Sequence, residues 1–239
     1  MGCESCMKCK HKSYSGDYCA RKVTIFSELS NQLLDEIVGN IERKHYSKGD
    51  LVFKIGEASD RLYIVNSGRM KIFNYTREGK EQILYILNEG DFIGELSLLK
   101  TTSFEFNGAA LEDTSLCTVS KQHFDSIIEK NPNITLKILE ALHDRLIKLE
   151  TLVQNLNTKD IETRIASMLM GFLKEGGREP KNGVVIDLPL NREEMGSFIG
   201  TTRETISRKL AVMQDEGILE FDGNKKVIIK DISALELLI

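Results

Sequence analysis

The run Ile134–Leu156 constrains this chain more than any other stretch. Its apolar residues Leu139, Leu142, Leu146, Leu149, Val153 and Leu156 are separated by alternating steps of three and four. That is the a/d seam of a coiled coil, sustained over about three heptads. Glu140, Asp144, Arg145, Lys148 and Glu150 stand between them, so the remaining faces of the helix are charged. A seam this narrow suits a helix that meets its own copy across a two-fold axis. The plainer alternative is a long amphipathic helix lying on its own domain. Either way the helix divides the chain, and four segments are expected: 1–22, 23–131, the helix over 132–157, and 158–239.

At 239 residues the chain has room for two domains with real cores. An apolar fraction of 41 % and a charged fraction of 28 % are those of a globular protein. No apolar run is long enough to span a bilayer, so no membrane partner is expected. The opening MGCESCMKCK has no apolar core of a secretory signal, which leads to the cytoplasm as the expected location. With a net charge of −4, any nucleic-acid role must rest on a local patch.

Of five cysteines, Cys3, Cys6, Cys9 and Cys19 lie in the first 19 residues and Cys117 stands far away. Clustered cysteines in a reducing compartment are more often metal ligands or redox groups than structural disulfides. Residues 1–22 lack apolar periodicity and carry Lys8, Lys10, Lys12, Arg21 and Lys22. Such a segment cannot bury enough apolar area to order itself; it is disordered or an inorganic centre organises it. Cys6-x-x-Cys9 places two thiolates to chelate one centre, Cys3 repeats the spacing, and Cys19 follows. By spacing alone, zinc and an iron–sulfur cluster are served equally, with unliganded redox thiols as a third reading.

A short amphipathic helix is expected over 26–39, capped by Ser27 or Ser30 and stopped by Gly39. From Tyr46 to Ser120 the pattern changes to short β-type runs separated by glycine turns, with a hairpin turn at Thr76–Lys80. This predicts a small antiparallel barrel or jelly roll. Within it lies Gly90-Asp-Phe-Ile-Gly-Glu-Leu96, following GKEQILYIL. That string resembles the phosphate-binding cassette of the cyclic-nucleotide-binding fold in the CRP/FNR family of bacterial transcription regulators. The resemblance implies that a glutamate, here Glu95, holds the ribose in members that bind cyclic AMP. It also implies an Arg-Ser pair for the phosphate about ten residues on, where this chain has Phe104-Glu-Phe-Asn-Gly108. No arginine occurs between Arg77 and Arg145. No guanidinium fork for a phosphate is therefore expected in this domain, nor is cyclic AMP as a ligand, and Glu95 reads as structural.

Cys117 lies in the segment Ala110–Val119. Taken alone, a cysteine within a strand is a small core hydrophobe. The resemblance implies more. In the FNR branch, which senses oxygen, a cysteine in this last strand of the roll is the fourth ligand of a 4Fe–4S cluster, and three others come from an N-terminal segment. Carried onto this sequence, the ligands are Cys6, Cys9, Cys19 and Cys117, with Cys3 as the alternative for one of the first three. The family spaces its third cysteine five residues after the CxxC, whereas nine separate Cys9 from Cys19 here.

A short helix is expected over 121–131, a hinge near 157, and an amphipathic helix over Ile161–Lys174. Beyond these, Asn191-x-x-Glu194 is a capping-box start for a helix over Arg192–Ile199, and Gly200 makes a turn. Thr201-x-x-Glu204 reads as a second capping box, opening a helix over Thr202–Glu216. Two helices joined by a tight turn make a helix-turn-helix, and Ile218–Ile229 adds a hairpin wing. The expected class is α+β: a cyclic-nucleotide-binding-like β-roll, a long dimerisation helix and a C-terminal winged helix-turn-helix.

On the outer face of the second helix stand Arg203, Glu204, Ser207 and Arg208. Arginine suits guanine O6 and N7, glutamate accepts from cytosine N4, and serine is versatile. The plainer reading is a solvated face with an i,i+4 Glu204–Arg208 pair. Residues 160–239 carry 11 basic and 14 acidic side chains, so bulk charge does not argue for DNA. The string Arg203-Glu-Thr-Ile-Ser-Arg208 does, because it resembles the recognition helix of CRP/FNR regulators. Its Glu-x-x-Ser-Arg portion is that of the FNR branch, and Arg203 is what the CRP branch has. The resemblance implies base contacts from Arg203, Glu204, Ser207 and Arg208. It implies phosphate contacts from Thr201, Thr202, Lys209 and the wing residues Lys225 and Lys226. The implied partners are double-stranded DNA with a palindromic operator, a second copy of the chain, and RNA polymerase. No nucleophile–base pair, Walker loop or GxGxxG points to an enzyme.

Overall fold

The structure, a computed structural model, describes residues 23–27, 29–95, 103–157, 160–177, 183–223 and 225–239. Two compact units are present: one runs to Ile72 and resumes over Ile86–Arg145, and the other consists of Phe73–Tyr85 and Leu146–Ile239.

The first described residues form a 3-10 turn, Thr24–Phe26, ahead of helix α1, Asn31–Gly39. The helix is thus shorter than the expected span from residue 26. The turn takes up the difference, since the Leu29 amide bonds back to the Phe26 carbonyl at 3.2 Å. Eight strands follow: β1 Glu42–Tyr46, β2 Leu51–Phe53, β3 Arg61–Ser67, β4 Met70–Tyr75, β5 Glu81–Leu87, β6 Phe92–Ile93, β7 Asn107–Ala110 and β8 Thr114–Ser120. They make two four-stranded sheets, ordered β1-β8-β3-β6 and β2-β7-β4-β5, the jelly roll expected from the glycine-punctuated β runs. The β4–β5 connection is the expected hairpin turn: the Thr76 amide bonds to the Lys80 carbonyl at 2.8 Å. Gly79 there takes a φ of 78° that other residues avoid.

Alternation along β3 and β8 places Leu62, Ile64, Cys117 and Val119 on one face. They join Phe26, Leu34, Ile37, Phe124, Ile127, Ile134 and Ile138 in a single apolar cluster. Helices α2, Lys121–Lys130, and α3, Asn133–Asn157, supply the last four of these. The opposite face of β3 turns Tyr63 toward Phe104, with ring centroids 5.9 Å apart, and Phe104 stacks on Phe53 at 3.9 Å.

Helix α3 matches the expected span and carries apolar residues on two faces. Ile134 and Ile138 are buried in the cluster, and Ala141 and Leu142 pack against it. Leu139, Leu146 and Val153 are 56 %, 54 % and 58 % exposed, with Leu136 and Ile147 exposed beside them. Leu142 and Leu149 are half-buried, and the side chain of Leu156 lies outside the described residues.

Helix α4, Ile161–Gly176, is N-capped by Asp160, whose carboxylate accepts from the Glu162 amide. Then come β9 Val184–Asp187, α5 Arg192–Ile199, α6 Arg203–Asp215, β10 Leu219–Asp222, β11 Lys226–Ile229 and α7 Ile232–Leu237. The wing is a three-stranded sheet, β10-β11-β9. Its third strand, β9, and the closing helix α7 add to what the sequence pattern led us to expect. No helix among the described residues is long and apolar enough to cross a membrane.

Candidate functional site

The α5–turn–α6 unit is built by local chemistry. Asn191 and Glu194 form the predicted capping box: the Asn191 side chain accepts from the Glu193 and Glu194 amides, and Glu194 accepts from the Asn191 amide at 2.7 Å. Gly200 follows α5 in the left-handed region at φ 73°, a conformation that costs glycine nothing. The turn is tight. A Cβ at Gly196 would lie 2.7 Å from the Thr201 carbonyl oxygen.

The second capping box does not form as expected. The N-cap of α6 is Thr202, not Thr201, and its hydroxyl accepts from the Thr205 amide at 3.3 Å. Gly200 shifts the frame by one residue, because the Thr201 amide still bonds back to the Gly196 carbonyl. Freed from a box, Glu204 sits in the first turn of α6. Its own backbone N–H, the Thr202 hydroxyl and Arg203 hold its carboxyl below the usual carboxylate range. It is ionised and can only accept.

Ile206, Leu210 and Met213 are buried, turning the opposite face outward. Arg203, Glu204, Ser207 and Arg208 are all exposed on it. These are two guanidinium donors, a fixed acceptor and a hydroxyl within two turns of a helix N-terminus, a set able to read base edges. Thr202 is exposed and Thr201 half-buried. Lys209 is placed differently: its ammonium is 2.5 Å from Glu162 of α4, so it ties two helices together. Arg192 was missed by sequence reasoning. Its guanidinium lies 4.2 Å from the Phe221 ring centroid and fastens α5 to the wing strand β10. Burial presses its pKa down.

In the roll, the cassette glutamate has a partner that the sequence did not reveal. Glu95 is 1 % exposed and pairs with Arg145 of α3. Arg145 also donates to the Phe92 carbonyl at 2.6 Å. Arg145, the terminal residue of this unit, reaches the cassette from 50 residues away, a contact that the sequence expectation of no phosphate-gripping fork did not include. Its fork is taken by protein groups. Across the roll, the stretch matching the family's Arg-Ser pair supplies Phe104 and Phe106, which pack with Phe53 and Tyr63. Burial, with Tyr46 and Asp60 nearby, raises the Tyr63 pKa and keeps its hydroxyl neutral.

Cys117 lies in β8 opposite Ile64 of β3 and Arg43 of β1 and is 4 % exposed. It shares its apolar cluster with Val23, Ile25 and Phe26. Cys3, Cys6, Cys9 and Cys19 lie outside the described residues. Val23 follows Cys19 by four residues, so the chain can span at most about 14 Å between them. A thiolate at Cys19 is thus within chain reach of the cluster that holds Cys117. Soft sulfur donors suit zinc and iron–sulfur clusters alike. In donor type, Cys117 and the four N-terminal cysteines suit such a group.

Residues 43–131 match the cyclic nucleotide-binding domain and residues 163–238 the Crp-like helix-turn-helix domain. The chain is 31 % identical over 189 residues to the cAMP-activated global transcriptional regulator CRP of Salmonella typhimurium, covering 77 % of this chain and 88 % of that protein. It is 26 % identical to the transcriptional activator protein FnrL of Cereibacter sphaeroides, covering 80 % and 78 %. Among solved structures, a mutant of CooA from Carboxydothermus hydrogenoformans superposes with a TM-score of 0.73 at 28 % identity, covering 88 % of this chain and 90 % of that one. With a cyclic-nucleotide-binding roll ahead of a Crp-like helix-turn-helix, and these relatives along most of its length, the chain belongs to the CRP/FNR family of transcription regulators.

Proposed function

We propose that this protein is a homodimeric, sequence-specific DNA-binding regulator of the FNR type, which senses oxygen through a 4Fe–4S cluster held by Cys6, Cys9, Cys19 and Cys117. The observation that carries the sensing is the shared cluster of Cys117 with Val23, Ile25 and Phe26, which brings the chain emerging from the cysteine segment to the strand bearing the fourth thiol. An iron–sulfur cluster supplies an oxygen-labile centre. Cys117 would anchor the N-terminal segment to β8, and the apolar residues around it exclude water from its sulfur.

The exposed stripe Leu139, Leu146 and Val153 would face the same stripe on a second copy, with Leu142 and Leu149 beside it. Pairing of α3 would set two recognition helices about one turn of DNA apart, matching a palindromic operator. Arg203, Glu204, Ser207 and Arg208 would read bases, and Thr201, Thr202, Lys225 and Lys226 would contact phosphates. Lys209 would join them only by leaving Glu162. RNA polymerase is the natural partner of such a regulator on DNA.

Two sets of contacts support a roll that does not take cyclic AMP. Arg145 is committed to Glu95 and Phe92, and aromatic packing fills the stretch where the phosphate-gripping pair would stand. A zinc site built from the same thiols is the second reading, because the donor set serves both. Protein purified without air and assayed for iron, sulfide and zinc, with its visible spectrum recorded, decides between them. Iron and sulfide in equal amounts with thiolate-to-iron absorption are expected. Colourless protein with stoichiometric zinc would rule the cluster out.

A further inference from the structure

We infer that Gln82 of the β4–β5 hairpin is a positioning residue for the recognition helix: its side-chain amide holds the carboxyl-terminal end of α5 and thereby fixes where α6 begins. The last carbonyls of a helix have no partner within it and form its negative pole. At the end of α5 they are taken from outside the helix-turn-helix. Gln82 Nε2 lies 2.8 Å from the Ser197 carbonyl oxygen and 3.2 Å from that of Phe198. Arg164 of α4 donates to the next one, Ile199, at 3.0 Å. A third acceptor, the Ile83 carbonyl 3.1 Å away, keeps the Gln82 amide turned toward the helix. The hairpin residues Phe73–Tyr85 belong to the same compact unit as the helix-turn-helix, although in sequence they are part of the roll.

The turn between α5 and α6 has no slack to absorb a shift. Gly200, Thr201 and Thr202 alone separate Ile199 from Arg203. The Gly200 and Thr201 amides both bond to the Gly196 carbonyl, and Gly196 has no room for a Cβ. A displacement at Ser197–Ile199 therefore moves the Thr202 cap and the face carrying Arg203 and Glu204. A donor at Gln82 is what the site requires. A carboxylate of the same shape would meet two carbonyl oxygens at the negative end of the helix and be repelled.

The inference rests on α6 reading DNA, and its test separates the two ideas. A duplex is first selected from a random pool by the full-length wild-type protein, and binding to it and to a scrambled duplex is compared at several salt concentrations. Gln82→Glu is expected to lower the ratio of selected to scrambled affinity about tenfold. The scrambled-duplex affinity and its salt slope should stay unchanged, and backbone amides at 199–203 should exchange hydrogen faster. Gln82→Lys, which restores a donor suited to the negative pole, should recover most of the ratio. A Gln82→Glu protein with wild-type discrimination overturns the inference, whatever its thermal stability. A wild-type protein that fails to discriminate overturns the DNA-reading role of α6 instead.

Discussion

Arg145 and Glu95 show what one side chain can decide. The pair is buried, with 15 % and 1 % of the two side chains exposed, and Glu95 Oε2 has no hydrogen-bond partner among the described residues. Losing the guanidinium would leave an uncompensated carboxylate in the roll. Removing one partner of a buried ion pair costs about 3 kcal/mol or more, and removing both costs far less. Arg145→Leu is therefore expected to lower the urea midpoint markedly, and Arg145→Leu combined with Glu95→Gln to recover most of it. Equal midpoints for single and double variants would show that the pair carries no such energy. Glu204 makes the opposite case, a group on the surface whose value lies in recognition. Glu204→Ala should abolish preference for a selected duplex while leaving salt-sensitive non-specific binding intact; retained discrimination would remove Glu204 from the base-reading set. The Asn191–Glu194 box was legible in the sequence because its partners lie three residues apart. The Arg145–Glu95 and Gln82–Ser197 contacts were not, since 50 and 115 residues separate the partners and only the fold brings them together.

At the scale of elements, α3 is where the sequence spoke most clearly and still said only half. Its step-three, step-four pattern gave the helix and its ends. It did not separate the face that packs on the helix's own roll from the face left open. The structure divides them: Ile134, Ile138, Ala141 and Leu142 meet the roll, while Leu139, Leu146 and Val153 stand exposed. An exposed apolar row of that size calls for a partner surface. Leu139→Glu with Leu146→Glu should leave folding intact, because neither side chain is in the core, yet place like charges across a two-fold seam. Sedimentation is expected to show a monomer with wild-type circular dichroism. A dimer that survives both substitutions would move the interface off α3. The strand β9 escaped the sequence reading because four residues with one apolar face, after a loop, do not announce a strand until β11 pairs with them.

For the whole molecule, the question is whether the thiols and the reader face belong to one device. The described residues include both proposed ends: Cys117 in one apolar cluster with Val23, Ile25 and Phe26, and an exposed polar face on α6. If they are linked, a change at Cys117 that the core can tolerate must still be felt at the DNA. Cys117→Ala is suited to this, since it removes the sulfur and puts only a methyl group in its place. A small buried thiol contributes little more than its volume, and the loss of stability should be about 1 kcal/mol. Folding survives such a loss, so any effect on DNA is not a consequence of unfolding. The variant, purified without air, is expected to lack iron and to bind the selected duplex no better than wild type does after exposure to air. If instead it holds iron normally, the fourth ligand is Cys3 and the N-terminal segment closes the site by itself. If it lacks iron and still binds the duplex as tightly as the anaerobic wild type, then the metal centre and the operator are independent, and the sensing role is wrong even though the winged domain reads DNA.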